Sequence, residues 1–237
     1  MITLTVIGSN SKGNCYALSS DKETIVLECG CSFKQLVRET ADDLSPIKAA
    51  IVSHSHGDHC KYAKDFISAG AILFSTKEVT EKYKSGVAMK EGKTYRIGEF
   101  SVAPFEVYHD VPCFAFIIRH PDCGSIFFAT DTYALPYEFK NVDHWLIEAN
   151  YSDDIIINEL QNGHLSNSQY NRILTSHMSL KNAIANMATG QANKSKTATL
   201  LHLSSRHSDK HQFKAAIEQE FGIPCYIASK GLKVYLS

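Results

Sequence analysis

The sequence predicts an α/β fold in which two mixed sheets pack face to face with helices on the outside, an αββα sandwich. Three observations lead there. Short β-rich runs open the chain, a second β-rich stretch fills residues 93–131, and helical patterns are interspersed before they dominate residues 153–189. Taken in order, strands are expected over 2–7, 15–19 and 24–28, where apolar and β-branched residues are separated by Gly, Asn, Ser and Asp turns. An amphipathic helix near 33–41 leads into an apolar strand at 49–53, Ala-Ala-Ile-Val-Ser. Helical pieces near 60–69 and 77–85 flank a strand at 72–75, and strands at 99–108, 114–119 and 125–130 make up the second β-rich half. After the helical stretch come a strand at 197–203, a helix at 208–221 and two short strands.

With 44% hydrophobic and 21% charged residues, the 237-residue chain is expected to form one globular domain over 1–237. Its 24 basic and 25 acidic residues leave a net charge of −1, so the global attraction that holds a long polyanion is missing and stable polynucleotide binding is not expected. The first residues, Met-Ile-Thr-Leu-Thr-Val-Ile-Gly, read as a strand rather than a signal peptide, and no apolar run approaches a membrane span. A cytoplasmic location is expected. Seven cysteines, an odd number without a CxxC pair, suit reduced thiols, and Cys29 and Cys31 read as packing residues.

The chemistry is concentrated in His54-Ser-His56-Gly-Asp58-His59. Two imidazoles spaced by two after an extended strand leave the same face and can converge on one ion. Gly57 lets the chain turn, so Asp58 and His59 suit a second ion, about 4 Å away in two-metal hydrolytic sites. Three further donors each follow or end an apolar strand: His109, Asp131 and His202. His54, His56 and His109 would hold one ion, Asp58, His59 and His202 the other, and Asp131 would bridge them. Two divalent ions lower the pKa of bound water to about 7, which provides hydroxide at neutral pH. Imidazole-rich sites favour Zn2+, with Mn2+ or Mg2+ as the alternatives.

HSHGDH, His109, the Thr130-Asp131-Thr132 turn and His202 together resemble the metallo-β-lactamase fold superfamily, over essentially the whole chain. The resemblance implies the fold and the dimetal centre, with Asp58 counted among the catalytic groups, but not the substrate. Gly8-Ser-Asn-Ser-Lys-Gly-Asn14, Leu146-Ile-Glu-Ala-Asn150, Ser176-His177-Met-Ser179 and His202-Leu-Ser-Ser-Arg206 look like the YycJ/WalJ branch and its relative ribonuclease Z, whose members cleave phosphodiesters. There a His-Ser or His-Leu-Ser element protonates the leaving oxygen, and His177 falls on it; the bland reading is a helix-capping histidine beside Ser179. His164, in Asn162-Gly-His-Leu-Ser166, is the competing choice. Two positions depart from the pattern. Glu28 stands where the branch shows Asp, and could orient a metal-binding histidine. Tyr151 stands where the branch shows His, and reads equally as a substrate contact or a half-buried tyrosine. Asn150, Arg206 and the loop residue Ser11 are further substrate-contact candidates.

Neither a large inserted domain nor a basic arm for tRNA fits between the ligands. Lys140 and Arg172 are the basic residues between Asp131 and His177. A small phosphodiester suits such a site. In size and motif set the chain is similar to phage anti-Pycsar proteins, a resemblance that implies a homodimeric enzyme hydrolysing cyclic mononucleotides such as cCMP and cUMP. The rivals are a metal-dependent DNA or RNA nuclease of the YycJ/WalJ or ribonuclease Z kind, a lactonase or thioesterase, and a non-enzymatic nucleotide sponge. Of the other histidines, His207 and His211 read as solvent-facing at a helix start, and His120 and His144 as strand-edge residues.

Overall fold

The computed structural model describes residues 1–41 and 44–237. Its strands sort into two seven-stranded mixed sheets. The first contains β1 (Ile2–Gly8), β2 (Cys15–Ser19), β3 (Thr24–Leu27), β4 (Ile47–Ile51), β5 (Ile72–Ser75), β6 (Val87–Ala88) and β14 (Lys233–Leu236), in the order β14-β1-β2-β3-β4-β5-β6. The second contains β7 (Tyr95–Ile97), β8 (Phe100–Val107), β9 (Cys113–His120), β10 (Gly124–Ala129), β11 (His144–Glu148), β12 (Thr197–Leu201) and β13 (Cys225–Ile227), in the order β13-β12-β11-β10-β9-β8-β7. The expected α/β class and mixed sheets are borne out. No helix among the described residues is long and apolar enough to cross a membrane.

Residue contacts gather into two compact units. Unit 1 is Met1–Glu106, Val111–Gly124 and Ala228–Ser237; unit 2 is Val107–Asp110 and Ser125–Ile227. In unit 1, β1 to β3 form an antiparallel meander, and β3 to β6 run parallel. Both ends of this switch are legible in the local chemistry: tight polar turns join β1, β2 and β3, whereas helices carry the parallel crossovers. These are α1 (Phe33–Thr40), the one-turn α2 (Gly57–Cys60), α3 (Ala63–Ser68) and α4 (Lys77–Tyr83). Ser32 and Gln35 close α1 with a reciprocal capping box. Leu36 and Phe66 bury their side chains in one cluster with Val26, Ala50, Val52 and Leu73. Truncating fully buried Phe66 to alanine there would cost about 3–5 kcal/mol.

In unit 2, β10, β11, β12 and β13 run parallel and read as near-continuous apolar runs because both faces are covered. The helices are α5 (Asp153–Gln161), α6 (Asn167–Ser176), α7 (Leu180–Thr189) and α8 (Lys210–Phe221). Trp145 on β11 is fully buried, its indole N–H donating to Ser195 Oγ at 2.9 Å.

Several boundaries differ from the expectation. The strand placed at 49–53 ends at Ile51, and the helical piece at 60–69 is two short helices. The strand at 197–203 stops at Leu201, because His202 takes a left-handed φ of 51° that no strand accommodates. His144 is no edge residue: it opens β11, which pairs on both sides, and it is 1% exposed with Nδ1 2.8 Å from Thr197 Oγ1. His120 ends β9, also an interior strand, and is 3% exposed over the Phe100 ring. All seven cysteines are free and buried.

Candidate metal centre

In unit 1 the donors are assembled locally. β4 carries the chain to His54, whose Nδ1 lies 2.8 Å from Ser53 Oγ. His56 takes extended dihedrals and starts α2, which places Asp58 and His59 within a single turn. The His54 ring centroid is 4.8 Å from that of His56 and 4.1 Å from that of His59. Two residues from earlier strands hold this loop. Asn14 donates its backbone N–H to Asp58 O at 2.8 Å, and its Nδ2 lies 3.1 Å from His59 Nε2 and 3.4 Å from Asp58 Oδ2. Glu28, fully buried and with φ 64°, accepts the Ser53 N–H on both carboxylate oxygens at 3.3 Å and sets Oε2 3.5 Å from His59 Nδ1. The carboxylate thus stands beside the His59 ring at ion-pair rather than hydrogen-bond distance. Gly30 lets the loop after β3 pass directly against the motif: a Cβ there would meet Asp58 O at 1.7 Å.

In unit 2 the donors come from the ends of separate strands. His109 follows β8, its side chain 2% exposed and Nε2 3.1 Å from Asp110 Oδ1. Asp131 follows β10 with φ 29°, and His202 follows β12 with φ 51°. His202 Nδ1 is 2.5 Å from Asp131 Oδ1 and 3.1 Å from Glu148 Oε1. Glu148, at the end of β11 and fully buried, also takes a 2.7 Å contact from His177 Nδ1 on Oε1 and accepts the Thr132 and Met178 N–H groups on Oε2, each at 3.1 Å. Asp131, Glu148, His177 and His202 offer ligand atoms that all lie within 4.8 Å of one another.

Electrostatics follow from this crowding. Burial alone would lower the His202 pKa, but the Asp131 and Glu148 carboxylates overcome it and push it up to about 10. Burial likewise opposes the charged form of His177, and Glu148 raises it above its ordinary value. Burial would raise Glu148, yet His177 beside it and the hydrogen bonds from both imidazoles hold it low. Two buried carboxylates at such range call for positive charge, which a divalent cation would supply. Imidazole nitrogens suit ions such as zinc, and carboxylate oxygens also suit harder ions such as manganese. Each unit thus carries His and Asp donors of the kind that hold divalent ions.

The other candidates fall out differently. His177 is the C-cap of α6 and precedes Ser179, which caps α7, so it does occupy a capping position, but its side chain is committed to Glu148 and stays 21% exposed. His164 is exposed in the α5–α6 turn. Of the two readings of Tyr151, its surroundings favour the buried tyrosine: it is 3% exposed, packed with Ile156, Leu165 and Tyr170, and burial pushes its phenol up to about 12. Asn150 is 7% exposed and donates Nδ2 to His202 O at 2.7 Å, which ties it to the His202 turn. Arg206 is exposed and paired with Glu159 at 3.4 Å, and Ser11 is exposed in the β1–β2 turn. His207 lies before α8 rather than on it, with Nδ1 3.3 Å from Ser204 Oγ and Nε2 3.5 Å from Glu159; only His211 faces solvent. Glu148 lies within Leu146-Ile-Glu-Ala-Asn150, a motif that by itself assigns it no role. A carboxylate closing a strand buried at every position was the available signal.

With this geometry in place the comparisons decide the family. The profile of the beta-lactamase superfamily domain matches residues 23–202. The chain belongs to that family. Its relatives include the exodeoxyribonuclease WalJ of Streptococcus pneumoniae, 27% identical over 87% of this chain and 83% of that protein. Among solved structures, the metallo-beta-lactamase fold protein YhfI of Bacillus subtilis superposes with a TM-score of 0.77 at 18% identity, covering 98% of both chains. A diphosphatase of the PhnP family does so with a TM-score of 0.72 at 14% identity, covering 98% of this chain and 96% of that one. The superfamily chain thus has the metallo-β-lactamase fold and the donors of a metallo-hydrolase.

Proposed function

We propose that the chain is a dimetal phosphodiesterase with His54, His56, Asp58, His59, His109, Asp131 and His202 as ligands and His177 as proton donor. The observation that carries the phosphodiesterase reading is the Glu148–His177 pair. A fully buried carboxylate accepts a hydrogen bond from Nδ1–H, which leaves Nε2 of a partly exposed imidazole to hold and deliver the proton a leaving alkoxide needs. When bound, two divalent ions, zinc by the preference of imidazole ligands, would polarise the phosphate and furnish hydroxide near neutral pH. His177→Ala should leave metal content unchanged and slow turnover by about 100-fold or more. Full activity in that variant would move the proton donor elsewhere.

For substrate, the net charge of −1 and the basic-poor interval from Asp131 to His177 favour small cyclic mononucleotides over polymers, with the enzyme acting as a cytoplasmic homodimer and with Ser11 and Arg206 near the substrate. The similarity to WalJ favours the second reading, an exonuclease working on DNA ends. Incubation with cCMP, cUMP, cAMP and cGMP beside single- and double-stranded DNA and a small RNA, with zinc or manganese and with chelator, separates them. Chelator-sensitive opening of cyclic nucleotides with intact polymers supports the first reading. Degraded polymer with untouched cyclic nucleotides replaces it by the second, and inertness on both removes phosphodiesters in favour of carbonyl substrates.

A further inference from the structure

Among the described residues, nine large apolar or aromatic side chains stand exposed, and three of them, Tyr108, Tyr133 and Tyr137, lie on the two segments that carry His109 and Asp131. Tyr108 is 50% and Tyr133 36% exposed, yet the two rings are not independent. Their centroids are 5.6 Å apart and their planes inclined by 23°, an offset stack. Thr132 braces it: the hydroxyl lies 2.9 Å from the Tyr108 carbonyl and 2.7 Å from that of Ala134, tying the segment after β8 to the turn after β10. Tyr108 adjoins His109, and Tyr133 is two residues past Asp131. Their Cα atoms therefore lie about 4 Å and at most about 8 Å from those of the two expected ligands.

Bare π faces held parallel beside a polar centre gain little from water, whereas a flat heterocycle can extend the stack. Resting on the phosphodiesterase reading above, we propose that the Tyr108–Tyr133 pair is a stacking platform for the nucleobase of the substrate. Every base has a π face, so the platform supplies affinity without fixing base identity. The rings and not the hydroxyls do this, so phenylalanine should serve as well.

The test is calorimetric titration of the protein with AMP and with ribose 5-phosphate, which differ by the base. Wild type should bind AMP more tightly by about 5- to 150-fold, the range of alanine-scanned base stacking. The paired variant Y108A/Y133A should keep its affinity for ribose 5-phosphate, which also reports a folded site, and lose the preference for AMP. Y108F/Y133F should retain the preference. A wild type that binds neither ligand or shows no preference, a preference that survives in the alanine pair, or one lost in the phenylalanine pair overturns the platform. Binding is read without turnover, so the two ideas fail separately. A preference for AMP in a chain inert on every phosphodiester leaves the platform and removes the enzymatic reading; hydrolysis without preference does the reverse.

Discussion

In unit 1 the donors His54, His56, Asp58 and His59 sit within six residues on one loop and one helical turn, whereas in unit 2 His109, Asp131, Glu148, His177 and His202 come from five separated segments. The first set is steadied by Asn14, whose Nδ2 lies beside His59, and by Glu28, which accepts the Ser53 N–H, and the spacing of the motif dictates which way its side chains leave the chain. The second set exists only once β10, β11 and β12 have paired in parallel register. Asp131 and His202 then leave those strands with left-handed φ of 29° and 51°, conformations that cost non-glycine residues about 1–3 kcal/mol each. What the contrast teaches is that one set of donors is written in local spacing, and the other in where strands end and how sharply the chain turns there.

The largest expected effect tests whether both sets serve one chemistry. His56→Ala and Asp131→Ala should each remove bound metal, measured by elemental analysis, and bring activity below detection. Near-normal turnover in either variant would detach that set from the reaction. A finer comparison sets the two buried glutamates against each other. Glu148→Gln should lower metal affinity by about 10- to 100-fold, as loss of a carboxylate behind a ligand does, and it should also bring the His177 titration, followed by NMR, back toward its ordinary range. Glu28→Gln should weaken metal binding through His59 while leaving His177 where it was. If both substitutions moved His177 alike, the division of labour would be wrong.

What could be read beforehand follows the same line. HSHGDH was legible because solvated loops rarely concentrate such residues, and His109, Asp131 and His202 because each follows a run of β-branched or aromatic residues. The α/β alternation was legible for the same periodic reasons, down to most strand limits. Glu148 was not, because its function depends on β11 lying between β10 and β12, so that His177 and His202 arrive from sequence positions far downstream. Tyr151 stayed open between two readings for the complementary reason: its burial is created by Ile156 on α5, Leu165 in the turn after it and Tyr170 on α6. The positions of His120 and His144 likewise became clear only with strand order, since an apolar strand flanked by histidine looks the same at the edge of a sheet as in its middle.

The smallest effect concerns His207, which like His177 has a glutamate beside it yet shifts the opposite way. His177 meets Glu148 at 2.7 Å, and that carboxylate is fully buried, so attraction outweighs the penalty of burial. His207 meets Glu159 at 3.5 Å, and that carboxylate is partly solvated and shared with Arg206, so burial wins and the pKa falls. With the folded value below the unfolded one, which is about 6.5, the unfolded chain binds the extra proton. Stability conferred by neutral His207 is thus complete above pH 6.5 and lost as pH drops from there through the folded pKa. Denaturant melts of wild type and His207→Gln at pH 7.5 and 5.5 should show the smaller loss on acidification in the variant. An equal loss would mean that burial and Glu159 cancel at His207, and a larger one that Glu159 holds it charged and a carboxylate needs no burial to outweigh desolvation at this site.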